Sequence, residues 1–395
     1  MRLSTGEEFR VLRPTILGVN GARETRFRFE AMDRLERLIG DIKGVTGGNL
    51  AWSSKSSIHS SGQIEISDIG DNIDWLNARV KITIYTKDDD GEETATPVGV
   101  YMPAAPVHSW SGGARTYTVE LLDKLSLLDT DIITDSHGNA ETYTVKKGAN
   151  IVRTVKAIIA DLGETSPAIV EEESPETALS DMVFPTGTSR LKIINDLLDA
   201  ANYFSLWCDG EGRYRVTKYR APHLRTPVYE MEQPFVEGEN SLLGEDWSHD
   251  EDIYSIPNRV VAVQQGDDEE EGLSAVADLN VLDPSSKFNQ KNRGRYITEV
   301  YDGVEATSQA NLNAWAERKL DELANAANKV EIEHVFLPDL LMNDTILFRA
   351  GDVEMTGAVT NTEFDLDPQA MVKTKLRSVL SGEEPDEGGE EGSDA

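Results

Sequence analysis

The apolar positions change period inside one stretch, residues 187–219, GTSRLKIINDLLDAANYFSLWCDGEGRYRVTKY. Leu191, Ile194, Leu197, Leu198 and Ala201 fall at helical spacing, which predicts a short helix with one apolar stripe. Thr188 or Ser189 can cap its start by accepting hydrogen bonds from the free backbone amides. Past Tyr203 the period drops to two. Phe204, Leu206 and Cys208 face one way, Asp209-Gly210-Glu211-Gly212 turns the chain, and Tyr214, Val216 and Lys218 return as a second strand. A hairpin of this size is marginal alone in water. The stretch therefore needs a larger structure to cover it, and reads as a connector between β-rich regions on either side.

Before it, the pattern is one of short strands and polar turns. Phe27 and Phe29 alternate with Arg26, Arg28 and Glu30; Ile64 and Ile66 flank Glu65; Val80, Ile82 and Ile84 flank Lys81 and Thr83; Tyr117, Val119 and Leu121 flank Thr118 and Glu120. Turn clusters such as Gly47-Gly48-Asn49 and Asp88-Asp89-Asp90-Gly91 separate them. Thr142–Val145 reads as a strand and Lys147-Gly148 as a turn. A helix follows that buries Ile151, Val152, Val155, Ile158, Ile159 and Leu162 and ends at Gly163. After the connector, strands are expected at 259–263, 330–337, 345–348 and 372–380. A further helix is expected near 308–328, with Leu312, Trp315, Ala316, Leu320, Leu323 and Ala327 inward and Glu317, Arg318 and Glu322 in water.

These elements give an α+β, mainly β chain: two small antiparallel β-barrel domains, 23–125 and 221–381, joined by an α+β connector at 126–220. Residues 1–22 form an arm without clear period. Residues 382–395, GEEPDEGGEEGSDA, have the composition of a disordered acidic tail.

Composition changes the picture at one point. The 395 residues carry 38 basic and 71 acidic side chains, a net charge of −33. Such a chain cannot hold nucleic acid through a general basic surface, and anionic lipid repels it. It suits a surface that nucleic acid must pass without sticking. The lone cysteine, Cys208, excludes an internal disulfide and sits on the apolar side of its strand, as a small buried hydrophobe. No apolar run reaches membrane-span length and no signal-peptide core is evident, so synthesis in a reducing cytoplasm is expected.

Candidate chemistry is sparse. His59, His108, His137, His223, His249 and His334 have no metal-ligand spacing, and His334, in a strand, reads as a packed or hydrogen-bonded core residue. Asp129–Glu141 fails the calcium-loop register. Phosphate-binding, dinucleotide-binding and nucleophile-elbow motifs are missing, so no catalytic, cofactor-binding or metal residue is assigned and no enzyme is expected. Residues 142–163, TYTVKKGANIVRTVKAIIADLG, resemble the first half of a LysM module, a small βααβ glycan-binding fold. That resemblance implies an alternative role in binding host cell-wall glycan.

Taken in order, the chain resembles a siphophage minor tail protein of the tail-hub type over about residues 24–380. The similar positions are Asp74-Trp75 before the strand Ala78–Tyr85, Pro97–Tyr101, Val119-Glu120-Leu121-Leu122-Asp123-Lys124 and the YTVKKG turn. The helix and hairpin INDLLDAANYFSLWCDGEGRYRV, Ile256–Val261, the helix AWAERKLDEL and the segment LLMNDTILF complete the set. The resemblance implies a structural protein of the virion tail tip, made in the host cytoplasm. Three chains with two barrels each would form a ring adapting a six-fold tail tube to a three-fold tip. The implied partners are two further copies, the distal tail protein, the C-terminus of the tape-measure protein and tip or fibre proteins. DNA would pass through the lumen without specific binding, and the chain would insert into no membrane.

Overall fold

The computed structural model describes residues 25–67, 73–87, 93–111, 113–164, 167–233, 242–251, 256–264, 272–325, 328–337 and 340–380. The arm at 1–22, the turn at 88–91, the acidic run 267–271, Ala327 and the tail 382–395 lie outside the described residues. With 47% strand and 17% helix the chain is mainly β.

Seven strands come first: β1 (Thr25–Met32), β2 (Leu38–Asp41), β3 (Val45–Ser53), β4 (Ser60–Ile66), β5 (Arg79–Lys87), β6 (Glu93–Ser111) and β7 (Ala114–Asp123). The connector region holds α1 (Leu125–Asp129), β8 (Tyr143–Val145), α2 (Ile151–Asp161), β9 (Ile169–Val170), β10 (Met182–Phe184), α3 (Arg190–Ala200), β11 (Trp207–Cys208) and β12 (Tyr214–Val216). Then come β13 (Tyr229–Glu232), β14 (Leu243–Glu251), β15 (Arg259–Gln264), β16 (Leu273–Asp278), α4 (Leu279–Leu282), α5 (Gln290–Arg293), β17 (Thr298–Asp302) and α6 (Gln309–Asn325). The chain ends in β18 (Asn328–His334), β19 (Thr345–Ala350), β20 (Val353–Asp365) and β21 (Val372–Ser378).

The strand order departs from the expected pair of barrels. A 13-stranded sheet runs β14-β18-β21-β20-β3-β4-β7-β6-β5-β1-β2, with β19 on β20 and β13 on β19, and no sheet closes on itself among the described residues. The two β-rich ends of the sequence are one sheet, joined where β20 pairs antiparallel with β3, Leu50 opposite Phe364 and Trp52 opposite Thr362. The reason lies in β20, which forks. One of its sides is lined by β21, while the other pairs with β19 over Val353–Ala358 and, past an irregularity between Val359 and Asn361, with β3. An unpaired edge exposes a row of unsatisfied backbone groups; here each half covers the other's. Trp52, Phe364 and Phe336 then pack at ring separations of 5.2 Å across the join, so a single apolar cluster spans both ends of the chain.

Two segments leave this sheet and build cores of their own. Residues 125–216 pack α1, α2 and α3 with the short pairs β8–β10 and β11–β12, β12 also pairing parallel with β9. The helical stripes expected from the sequence are the buried ones: Leu191, Ile194, Leu197, Leu198 and Ala201 on and just past α3, and Ile151, Val152, Val155, Ile158 and Ile159 on α2, with Leu162 partly covered. Ser189 is the cap of α3, accepting from the Lys192 amide, while Thr188 instead donates to the Pro185 carbonyl. Gly163 ends α2 at φ +77°, a left-handed conformation natural to glycine.

Residues 256–325 place α6 against one face of the three-stranded sheet β16-β15-β17, burying Val260, Ala262, Ala275, Ala277, Leu312, Ala316 and Leu320. Glu317 is exposed as expected, but Arg318 is not in water. Its side chain is 9% exposed because its guanidinium pairs with Asp199 of α3. Trp315 Nε1 donates to the same carboxylate at 2.7 Å, so α6 is bolted to the connector by its polar side.

Candidate functional site

The turn of the β11–β12 hairpin, in the stretch that changes period, lands on the sheet. A Cβ on Gly210 would lie 2.1 Å from the Pro97 carbonyl oxygen, and one on Gly212 would lie 2.7 Å from Val100 Cβ. Only glycine lets the turn come that close to β6. Lys81 of β5 reaches Glu211 at 2.6 Å, and the Tyr214 hydroxyl donates to the Lys124 carbonyl at 3.1 Å.

Beneath this contact lies a buried cluster of four charges. Arg79 Nη2 meets Glu164 at 2.6 Å and its Nη1 meets Glu36 at 2.7 Å; Lys124 Nζ meets Glu164 at 2.8 Å and also bonds Glu36. The Lys124 side chain has no solvent exposure and that of Arg79 only 4%. Burial pushes the Glu164 carboxyl up, but hydrogen bonds and charge from Arg79 and Lys124 outweigh it and hold it below the usual range. Next to the cluster, Asp123 accepts from the Ser60 and Leu125 amides, and burial raises it to about 6. Two cations and two anions meet here with little water, and the arrangement ties Glu164 of the connector to the sheet.

The other singled-out residues are dispersed. His334 contacts Thr374 Oγ1 at 2.7 Å and the Val335 carbonyl at 2.6 Å, and burial pulls it down to about 4, as befits a core residue. Cys208 packs against the connector core, and burial pushes its thiol up, away from reactivity. Among the described residues no group of three or more His, Cys, Asp or Glu side chains could hold a metal ion, and no helix is long and apolar enough to cross a membrane. In the LysM-like segment β8 and α2 are present and β10 pairs with β8. Among the described residues no helix lies between α2 and β10.

Surfaces stand out more than pockets. The β2 end of the large sheet exposes Leu38 and Ile39, and β14 at the other end exposes Glu245, Asp246, Asp250 and Glu251. Another open feature among the described residues is a β6–β7 arm. β5 flanks β6 only as far as Tyr101 and β4 flanks β7 only from Tyr117, so the ribbon between them stands without a third strand among the described residues. Sequence reading missed this arm, because Pro103 and Pro106 interrupt the alternation that marks a strand.

Solved structures share this fold over most of the chain. A tail protein from Neisseria meningitidis MC58 superposes with a TM-score of 0.63 at 13% identity, covering 90% of this chain and 98% of that one. The fold is the one seen in that tail protein. A 43 kDa tail protein of prophage MuSo2 from Shewanella oneidensis gives 0.60 at 12% identity over 89% and 98% of the two chains. Prophage tail protein gp18 from Listeria monocytogenes EGD-e gives 0.52 at 10% over 90% and 95%. Neither a family model nor a curated sequence matches the chain, so the likeness is one of fold. The tail-protein resemblance seen in the order of elements is thus borne out at the level of fold.

Proposed function

We propose that this protein is a structural tail hub of a bacteriophage and carries out no bond-breaking chemistry. The carrying observation is whole-chain: the fold matches that of tail proteins over 98% of their length. In this reading three copies form a ring at the tail tip, each offering two β surfaces, one on either side of the β3–β20 join. Six such surfaces meet a six-fold tube while the ring itself stays three-fold. The distal tail protein sits above, tip or fibre proteins below, and the tape-measure C-terminus reaches the bore.

The acidic surplus supports a lumen role. A duplex threading a bore without Lys or Arg finds nothing to neutralise its phosphates and slides. Repulsion among three copies at −33 each is screened beyond about 8 Å at physiological salt. The buried, mutually neutral charge cluster suits a part that keeps its shape under load. Gold-labelled antibody against this chain should mark one end of the assembled tail. Label along the tube, on the capsid, or only in the unassembled fraction contradicts the reading.

A further inference from the structure

Two of the exposed surfaces that have no partner among the described residues differ in kind and fit each other. The first is one side of the β6–β7 arm. Cross-strand pairing places His108 opposite Tyr117 and Trp110 opposite Arg115 on the same side of the ribbon. Arg115 Nη2 donates to His108 Nδ1 at 3.1 Å, and its guanidinium lies 4.4 Å from the Tyr117 ring centre and 5.4 Å from that of Trp110. Trp110 is nevertheless 71% exposed, and Arg115 has no carboxylate partner among the described residues. Residues 94–119 form the longest stretch of the chain without an acid, 26 positions where one acid is expected every five or six.

The second surface is the side of β16-β15-β17 turned away from α6. Val276, Val261 and Val300 lie side by side across the three strands, and Val263 lies beside Ser274 and Asp302 in the adjacent row. Val276 is 62% and Val300 58% exposed, against the rule that the solvent side of a sheet is polar. Asp302 is exposed at the margin and has no cationic partner among the described residues.

We propose that the arm of one copy lies on the valine face of the next, Trp110 and His108 over Val261, Val276 and Val300, with Arg115 meeting Asp302. The proposal rests on the ring reading and names its contact. A ring is closed by head-to-tail contacts between two unlike surfaces of the same chain, and these two are unlike and complementary. The charge argument selects a second copy as the occupant: between two chains of −33, an acid-free ribbon bearing one arginine is the part that approaches without repulsion, and it meets a face whose margin is acidic. Trp and Arg are also the side chains on which interface energy concentrates.

Full-length chains carrying His108→Cys and Ser274→Cys are mixed and treated with a short bis-maleimide, with the wild-type chain, which has only the packed Cys208, as background. The mixture should yield a cross-linked pair, and neither variant alone should. Trp110→Ala should weaken self-association by roughly 30-fold in sedimentation, with the melting temperature unchanged because the residue lies on the exposed arm. Trimers that form without the cross-link, or that ignore Trp110→Ala, overturn the contact and leave the hub reading standing. A chain that stays single at every soluble concentration contradicts both.

Discussion

The buried charge cluster allows a quantitative test of how the connector is held. Glu164→Gln removes one of two anions and leaves Arg79 and Lys124 facing Glu36 alone, an uncompensated positive charge in a pocket where the cation side chains are 4% or less exposed. Breaking a buried pair in this way costs about 3–5 kcal/mol. Glu36, 14% exposed, admits some water, which trims the figure toward the lower end. Lys124→Met leaves the opposite imbalance and should cost a similar amount. The double variant restores neutrality, with Arg79 still paired to Glu36, so its cost should fall below the sum of the singles by about 2 kcal/mol. The chain has several apolar cores, so a global unfolding midpoint does not define one free energy. Hydrogen exchange at β5 and β12, on the two sides of the junction, measures the local opening directly. Strict additivity of the two substitutions would refute the reasoning, since it would mean that the four charges do not feel one another.

Two further perturbations follow from single residues. His334 has a folded pKa of about 4 against an ordinary 6.5, so the neutral form is favoured by the fold. The stability it contributes is complete above the unfolded pKa and is lost as pH falls from 6.5 through about 4, to a total of about 3 kcal/mol. Wild type minus His334→Gln, followed by hydrogen exchange in β18 and β21 across that window, should show this slope; parallel curves would remove the assignment. Gly212→Ala places a Cβ 2.7 Å from Val100 Cβ at φ +73°, whereas Gly138→Ala, at φ +80°, meets open space. The first should cost about 2 kcal/mol or more and speed exchange in the β11–β12 turn, the second only about 1 kcal/mol of backbone strain. Equal effects would mean that the turn does not depend on close approach to β6.

Much of the local structure was legible because it rests on periodicity and caps. The stripes of α2 and α3, the Ser189 cap, the Gly163 stop and the hairpin turn all follow from short-range patterns that tertiary context did not override. What the sequence concealed is long-range. β20 has the composition VEMTGAVTNTEFD, with a glycine, a run of polar residues and an irregularity that shifts the alternation midway, so it does not read as a strand. Yet it is the strand that merges the two ends of the chain into one sheet. Arg318 looked solvent-facing because helical spacing says nothing of a neighbouring helix that brings Asp199 to it. The charge cluster was likewise invisible. Glu36, Arg79, Lys124 and Glu164 are scattered along the sequence without a motif, and only the fold brings them together.

The most direct test of a purely architectural role is the mass and symmetry of the particle, in solution and in the isolated tail tip. Three copies around one axis, enclosing a hole faced by Asp and Glu side chains, is the predicted result. A single copy bound in an off-axis cleft, or a hole faced by Arg and Lys, would contradict it.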